Sequence, residues 1–293
     1  MHEAGPRAGL VYACMTHVPL PLAPPPWVTP IHLGAAQGAG GLDLRELAPD
    51  WEPHHPVLGA TAGSFALRRW LLAQRPDATR VGVCQYRKFV SRQRISGVRD
   101  RKYKAMDDVA KERLEGDAYA RALDPGEAEF LVSAPRRFTR LPWYRRGYLK
   151  EYARDHHVED FLLFIAHAVE QGAIDAGEVL AFCREDVLVP GGVELGVYPA
   201  AFWLDAIGRI ERVVRACVTQ HPRRRDGYQA RMWSFCAERL GSWLLLKRLR
   251  AAAADGPLSR HWEWWNRRRW TRRSAGQLNL IVEDGHGGYR GGV

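Results

Sequence analysis

The stretch that most constrains this chain is Val81 to Arg92, VGVCQYRKFVSR. It opens as a buried strand, with Val81 and Val83 apolar and Gly82 permitting close backbone approach. It then turns cationic and aromatic at Gln85-Tyr86-Arg87-Lys88-Phe89. A short apolar run ending in several donors and a ring is how an α/β sheet presents a ligand at a strand's C-terminal end. Arg87, Lys88 and Arg92 donate hydrogen bonds and accept none, so their natural partner is an anion such as a phosphate or diphosphate. A strand running into a solvated basic loop is the competing reading of these residues alone.

A second segment, Tyr228-Gln229-Ala230-Arg231-Met232-Trp233-Ser234-Phe235-Cys236-Ala237-Glu238-Arg239-Leu240, reads as a helix with Met232, Phe235, Cys236 and Leu240 on a buried stripe. Two more stretches precede it in the chain: Tyr12-Ala13-Cys14-Met15-Thr16-His17 and Asp155-His156-His157-Val158-Glu159-Asp160. In this order the four resemble a bacterial glycosyltransferase-like family, first catalogued as a domain of unknown function, of capsule, O-antigen and cell-wall polysaccharide loci. The family pattern runs Y-x-A-T-H, H-Y-R-R-Y/F, H-H-x-x-D, Y-Q-x-R-x-x-G-F-x-x-E-R-L, and the match spans roughly residues 10 to 249. The chain departs from it at Gln85, where the family has His, and at Ser234, where it has Gly.

The resemblance implies a single α/β domain with a central mixed sheet flanked by helices, of the nucleotide-diphospho-sugar transferase (GT-A-like) type. It implies transfer of a sugar from a nucleotide-sugar donor to a glycan or lipid-linked acceptor in bacterial surface polysaccharide synthesis. The expected donor-binding residues are Thr16, His17, Gln85, Tyr86, Arg87, Lys88 and Arg231. Glu238, His156 and Asp160 are the expected catalytic residues, with Glu238 as base toward the acceptor hydroxyl. Such folds ordinarily hold a divalent metal on an Asp-x-Asp pair, which this sequence lacks. The expectation is that Arg87, with Lys88 or Arg92, neutralises the diphosphate directly, with no metal or other cofactor required.

Composition sets outer bounds. The formal net charge of +10 over 293 residues favours anionic partners: nucleotide-sugars, nucleic acid or an anionic membrane face. The five cysteines form no C-x-x-C pair, which argues against a disulfide framework and a zinc site and for reduced thiols. No apolar run approaches the roughly 20 residues that span a bilayer, and no signal peptide is visible. A cytoplasmic protein is expected, with contact to the inner membrane face left open. Nucleic-acid binding is the main rival from another class, and a non-catalytic nucleotide-sugar-binding member of the family is a second.

Along the chain, Leu10 to Met15 is the expected first strand and Pro19 to Pro30 a proline-interrupted loop. Gly34 to Gly41 is a connector without a phosphate-binding signature. Thr61 to Gln74 is an expected helix capped by Ser64, and Asp100 to Asp124 a solvated helix or lid. Glu129 to Ala134 is a strand, and Asp186 to Tyr198 holds strands around Pro190-Gly191-Gly192. Tyr148 to Gly172, Trp203 to Thr219 and Gly227 to Arg250 are expected helices, with His156 and Asp160 sharing a face of the first. The transferase domain is expected to end at residue 255. Residues 256–293 then form a partly disordered extension, in which Trp262 to Arg273 fits a lipid headgroup interface, single-stranded bases or simple packing on the domain.

Overall fold

A computed structural model describes residues 8–35, 40–95, 106–138, 147–222, 225–254 and 275–282. The described strands are β1 (Leu10–Thr16), β2 (Val28–His32), β3 (Leu42–Asp43), β4 (Arg80–Gln85), β5 (Lys88–Ser91), β6 (Asp107–Ala110), β7 (Leu131–Ser133), β8 (Arg136–Arg137), β9 (Val187–Leu188), β10 (Gly196–Pro199) and β11 (Ala275–Val282). The described α-helices are α1 (Leu44–Leu47), α2 (His55–Leu58), α3 (Ala60–Gln74), α4 (Asp117–Leu123), α5 (Tyr148–Asp155), α6 (Val158–Glu170), α7 (Val179–Arg184), α8 (Ala200–Gln220) and α9 (Met232–Ala254).

β1 is buried along all but its first residue, so its sheet must be covered on both faces. Alternation sorts the side chains. Val11, Ala13 and Met15 enter one apolar cluster with Val81 and Val83 of β4, beneath Phe65 of α3, Phe161 of α6, Ile207 of α8 and Leu240 of α9. Tyr12, Cys14 and Cys84 enter the other, with Phe89, Leu278, Tyr119 and Leu123. All five cysteines are free thiols, four of them buried.

β3, β2, β1 and β4 run parallel, and β10 lies antiparallel between β4 and β7. β5 folds back antiparallel on β4 and pairs with β11, which in turn pairs with β7 and β6. The pairings β4–β10–β7–β11–β5 therefore close on themselves. The C-terminal strand β11 completes that circuit, with Leu278, Leu280 and Ile281 buried. The domain boundary expected at residue 255 is thus too early, because Ala275–Val282 belongs to the same sheet. Trp262 to Arg273 lie outside the described residues.

Other expectations change for local reasons. Pro30 sits inside β2, not in a loop. Its carbonyl faces Gly41, before β3 pairing starts at Ile31, so the missing N–H removes no bond to β1. Ser64 is a turn inside α3, with its hydroxyl bonded to Ala60 O at 3.4 Å, while Gly59 occupies the cap at φ +55. Residues 106–123 carry β6 and α4 with Val109, Leu114, Tyr119 and Leu123 buried, so this is no solvated lid. Tyr148 to Gly172 divides into α5 and α6 at His156, whose backbone is extended.

Gly82 is the position where β4 must lack a side chain. A Cβ there would lie 2.2 Å from Cδ2 of Tyr12 on the neighbouring strand. Gly82→Ala is therefore expected to destabilise the fold by about 1–3 kcal/mol, the range for overpacking a filled core. Urea unfolding measures this, and an unchanged midpoint would contradict the packing described.

Candidate functional site

Backbone topology places the site. In an open α/β sheet the ligand crevice lies beyond the C-terminal strand ends, at the point where successive connections part in opposite directions. β1 has β2 on one side and β4 on the other, so that point lies at Thr16 and Gln85. Tyr86 N donates to Met15 O at 2.9 Å, and Leu33 N donates to Thr16 O at 2.8 Å, which fixes both strand exits. A cleft of about 320 Å³ opens there, lined by His17, His55, Gln85, Tyr86, Lys88 and Arg231, among others.

Three cations and a helix terminus converge on this cleft. Arg87 donates from Nη2 to the Tyr86 hydroxyl at 2.8 Å and lies 4.8 Å above that ring. Lys88 begins β5 and faces Leu280 of β11 in the ladder, while Ile281 N donates to Arg87 O at 2.8 Å. Arg231 closes the short 3-10 turn Gly227–Arg231 that enters α9, and its Nε is buried without a hydrogen-bond partner. α3 begins at Gly59–Ala60 on the rim, turning its positive pole toward the same space. A Cβ at Gly59 would lie 3.0 Å from an Arg231 nitrogen, so glycine permits this approach.

The positive field shows in the titratable groups. Burial lowers the pKa of Lys88, with Arg231 and Arg87 adding to the effect and Glu238 opposing it. Burial also lowers His17 and His55; Arg231 acts on both, and His55 and Arg87 act on His17 as well. The imidazole of His17 stands edge-on to Tyr86 at 4.9 Å. Near neutral pH both histidines are uncharged and can each donate and accept one hydrogen bond.

Two carboxylates, Glu238 and Glu194, act electrostatically on Lys88. Gly191 N donates to Oε1 of Glu238 at 2.8 Å. Glu194 follows in the same turn; burial lifts its carboxyl to about 7, with Glu238 adding, against the nearby Thr61 hydroxyl and the charges of Arg231 and Lys88.

The sequence-expected residues divide accordingly. His17, Gln85, Tyr86, Arg87, Lys88 and Arg231 share the one cleft. Thr16 is buried at its edge, where its hydroxyl donates to the Val18 carbonyl and shapes the exit of β1. Glu238 acts electrostatically on Lys88 but makes no Arg231 pair; its neighbour Arg239 instead binds Glu151 at 2.5 Å. His156 and Asp160 are not brought together on one helical face. His156 ends α5, bonds Gln229 at 3.0 Å and stacks on Phe235 at 4.4 Å. Asp160, in the first turn of α6, is 1% exposed and accepts from Arg225 at 3.0 and 3.1 Å.

His55, Gly59 and Glu194 went unnoticed in the sequence. The only hints were a glycine ahead of an apolar helix and a glutamate in a Gly-Gly turn. Among the described residues no three His, Cys, Asp or Glu side chains gather as metal ligands, and no helix is long and apolar enough to cross a membrane.

No family model matches the chain, and no curated protein matches it. A solved structure titled "WbbM bifunctional glycosytransferase apo structure" shares its fold, with a TM-score of 0.64 at 12% identity. The match covers 93% of this chain and 45% of that one, so the chain spans less than half the length of this neighbour.

His156 should behave as a packing residue. His156→Ala is expected to lower the melting temperature, through loss of the Phe235 stack and the Gln229 bond. An unchanged melting temperature would contradict the packing described.

Proposed function

We propose that the chain is a glycosyltransferase that holds the diphosphate of a nucleotide-sugar donor between Arg231, Arg87, Lys88 and the N-terminus of α3. One observation carries this reading: Arg231, whose Nε is buried without a hydrogen-bond partner, lines a cationic cleft at the sheet's topological switch point. A buried donor lacking an acceptor costs about 1–3 kcal/mol, and a bound phosphate oxygen would recover it. The shared fold with a protein titled a glycosyltransferase supports the same reading. So does the parallel β3–β2–β1–β4 run with antiparallel β10, as support for the nucleotide-diphospho-sugar (GT-A-like) type.

In this reading Tyr86 stacks on the base or bonds a phosphate, and His17 and Gln85 orient the nucleotide. The acceptor is a glycan or lipid-linked hydroxyl, and surface polysaccharide assembly is the setting the motif resemblance favours. A divalent metal fits this donor set poorly. The cleft presents three cations, Asp-x-Asp is missing, and Glu238 already accepts from Gly191. The leaving diphosphate is instead neutralised by fixed charges.

Thermal-shift screening against nucleoside diphosphates and nucleotide-sugars tests the reading, because a ligand confined to the folded state raises stability by about 2.7 kcal/mol at 100 Kd. A stabilising nucleotide is expected, and no response across the panel would contradict the proposal. Arg231→Ala and Arg87→Ala should each weaken the responding nucleotide by about 1.5–3 kcal/mol, with lysine restoring only part. Unchanged affinity in a folded variant removes that residue from the site.

Donor turnover is expected to survive EDTA. Complete loss on chelation, restored by Mn²⁺ or Mg²⁺, would defeat neutralisation by fixed cations.

A further inference from the structure

We propose that His55 is a further ligand of the donor diphosphate, bound as an imidazolium, so that a nucleotide-sugar entering the cleft takes up one proton with it; this assignment rests on the sugar-transfer reading above. His55 lines the cleft beside His17, Tyr86, Arg87, Lys88 and Arg231. Its side chain is half-buried, and among the described residues neither ring nitrogen has a hydrogen-bond or carboxylate partner. An imidazole in a cationic cleft with both nitrogens uncommitted is open to an anion.

Backbone geometry presents the ring. His55 opens α2, and Gly59 N donates to its carbonyl at 2.8 Å, closing the turn from which α3 starts. Gly34, at the exit of β2, has φ +63, and a Cβ there would lie 2.9 Å from Cε1 and Nδ1 of the imidazole. Glycine at that position therefore gives the ring its place beside the cleft. The same short helix brings Arg231 near, since a Cβ at Gly59 would lie 3.0 Å from its Nη2.

The charged neighbours decide when the ring ionises. His17, after β1, stands 6.3 Å from His55 ring to ring, and Arg231 comes from the turn that enters α9. Arg87 follows β4 and acts on His17, and Lys88 opens β5. Burial, then Arg231, keeps His55 neutral in the free protein. No carboxylate offsets them: Glu52, in the turn before α2, does not act on His55, and Glu238 and Glu194 act on Lys88. His17 is opposed by three positive neighbours and His55 by one, so His55 takes the first proton. A diphosphate seated among the cations offsets their field and offers acceptor oxygens. A solvent proton then passes to the second ring nitrogen, and the imidazolium donates to a phosphate oxygen.

The direction of the pH dependence follows from linkage. Free His55 lies below the ordinary histidine value of about 6.5, and the bound residue lies above its free value. Affinity is therefore greatest below the free value and falls as pH rises through the interval between the two, by at most about tenfold per pH unit for one proton. Calorimetric titration of the full chain with UDP-glucose and with GDP-mannose, between about pH 5.5 and 8, tests this. Both are diphosphate diesters without the ionisation near pH 6 of a terminal phosphate, so any proton taken up belongs to the protein. Binding heats in PIPES and in Tris, buffers of low and high ionisation enthalpy, should report uptake approaching one proton near neutrality.

His55→Gln should lose the uptake and the pH dependence, and bind about tenfold more weakly than the wild type at the acid end, the difference between a charged and a neutral hydrogen bond. His17→Gln should keep the uptake. Binding without proton uptake would overturn the assignment. So would uptake unchanged in folded His55→Gln, which puts the proton on another base of the cleft such as Lys88. Should His55→Gln not fold, assigned histidine NMR of the wild type decides. The His55 titration is expected to move to higher pH on adding the nucleotide-sugar, and a His55 signal that does not move overturns the proposal. Failure of both nucleotide-sugars to bind, with no response from the wider nucleotide panel, would instead sink the sugar-transfer reading itself.

Discussion

The parallel pairing of β1 with β4 is the constraint on which the rest depends. Its register runs from Leu10↔Arg80 to Met15↔Gln85, and the Tyr86–Met15 bond extends it one step further. Both strands therefore end at the same level, and the residues after them, Thr16-His17 and Tyr86-Arg87, emerge side by side. The register holds because Tyr12 fills the space that Gly82 leaves. Sliding one strand by a residue would exchange the two buried faces, moving Val11 and Val81 away from the helices.

Around that pairing the fold concentrates positive charge instead of dispersing it. Arg87 and Lys88 turn back into β5, and β11 braces them from the far side through the Ile281–Arg87 bond. Arg231 arrives from the turn that enters α9 and the N-terminus of α3 from above, with Gly59 making room. Elsewhere the chain compensates its arginines. Arg225 answers Asp160, Arg239 answers Glu151, and Arg69 and Arg215 share Asp50, whose pKa they lower, while Arg69 also pairs with Glu211. Buried Arg231 Nε has no such answer, and an electrostatic gap of this kind suits an incoming anion.

Much of this could be read in the chain itself. The strand ending in Gln85-Tyr86-Arg87-Lys88 announced both the sheet and the cationic exit, since period-two burial followed by donors leaves few alternatives. Arg231 was legible from its segment. What escaped was set by contacts distant in sequence. Pro30 sits in a strand because its N–H side faces an unpaired stretch, and β11 is a strand because β5 and β7 wait for it. His156 and Asp160 looked like neighbours on one helix, but the break at His156 gives each its own partner. Glu194 carries only a faint local signal, a glutamate just after a Gly-Gly turn.

The proposed sugar transfer requires a diphosphate to bind between these cations. A crystal structure of the chain with the nucleoside diphosphate that stabilises it most is the direct measurement. The account predicts phosphate oxygens within hydrogen-bond distance of Arg231 and Arg87, beside the N-terminus of α3 and above the ends of β1 and β4. A nucleotide bound elsewhere, with Arg231 Nε satisfied by a protein carboxylate, would contradict it.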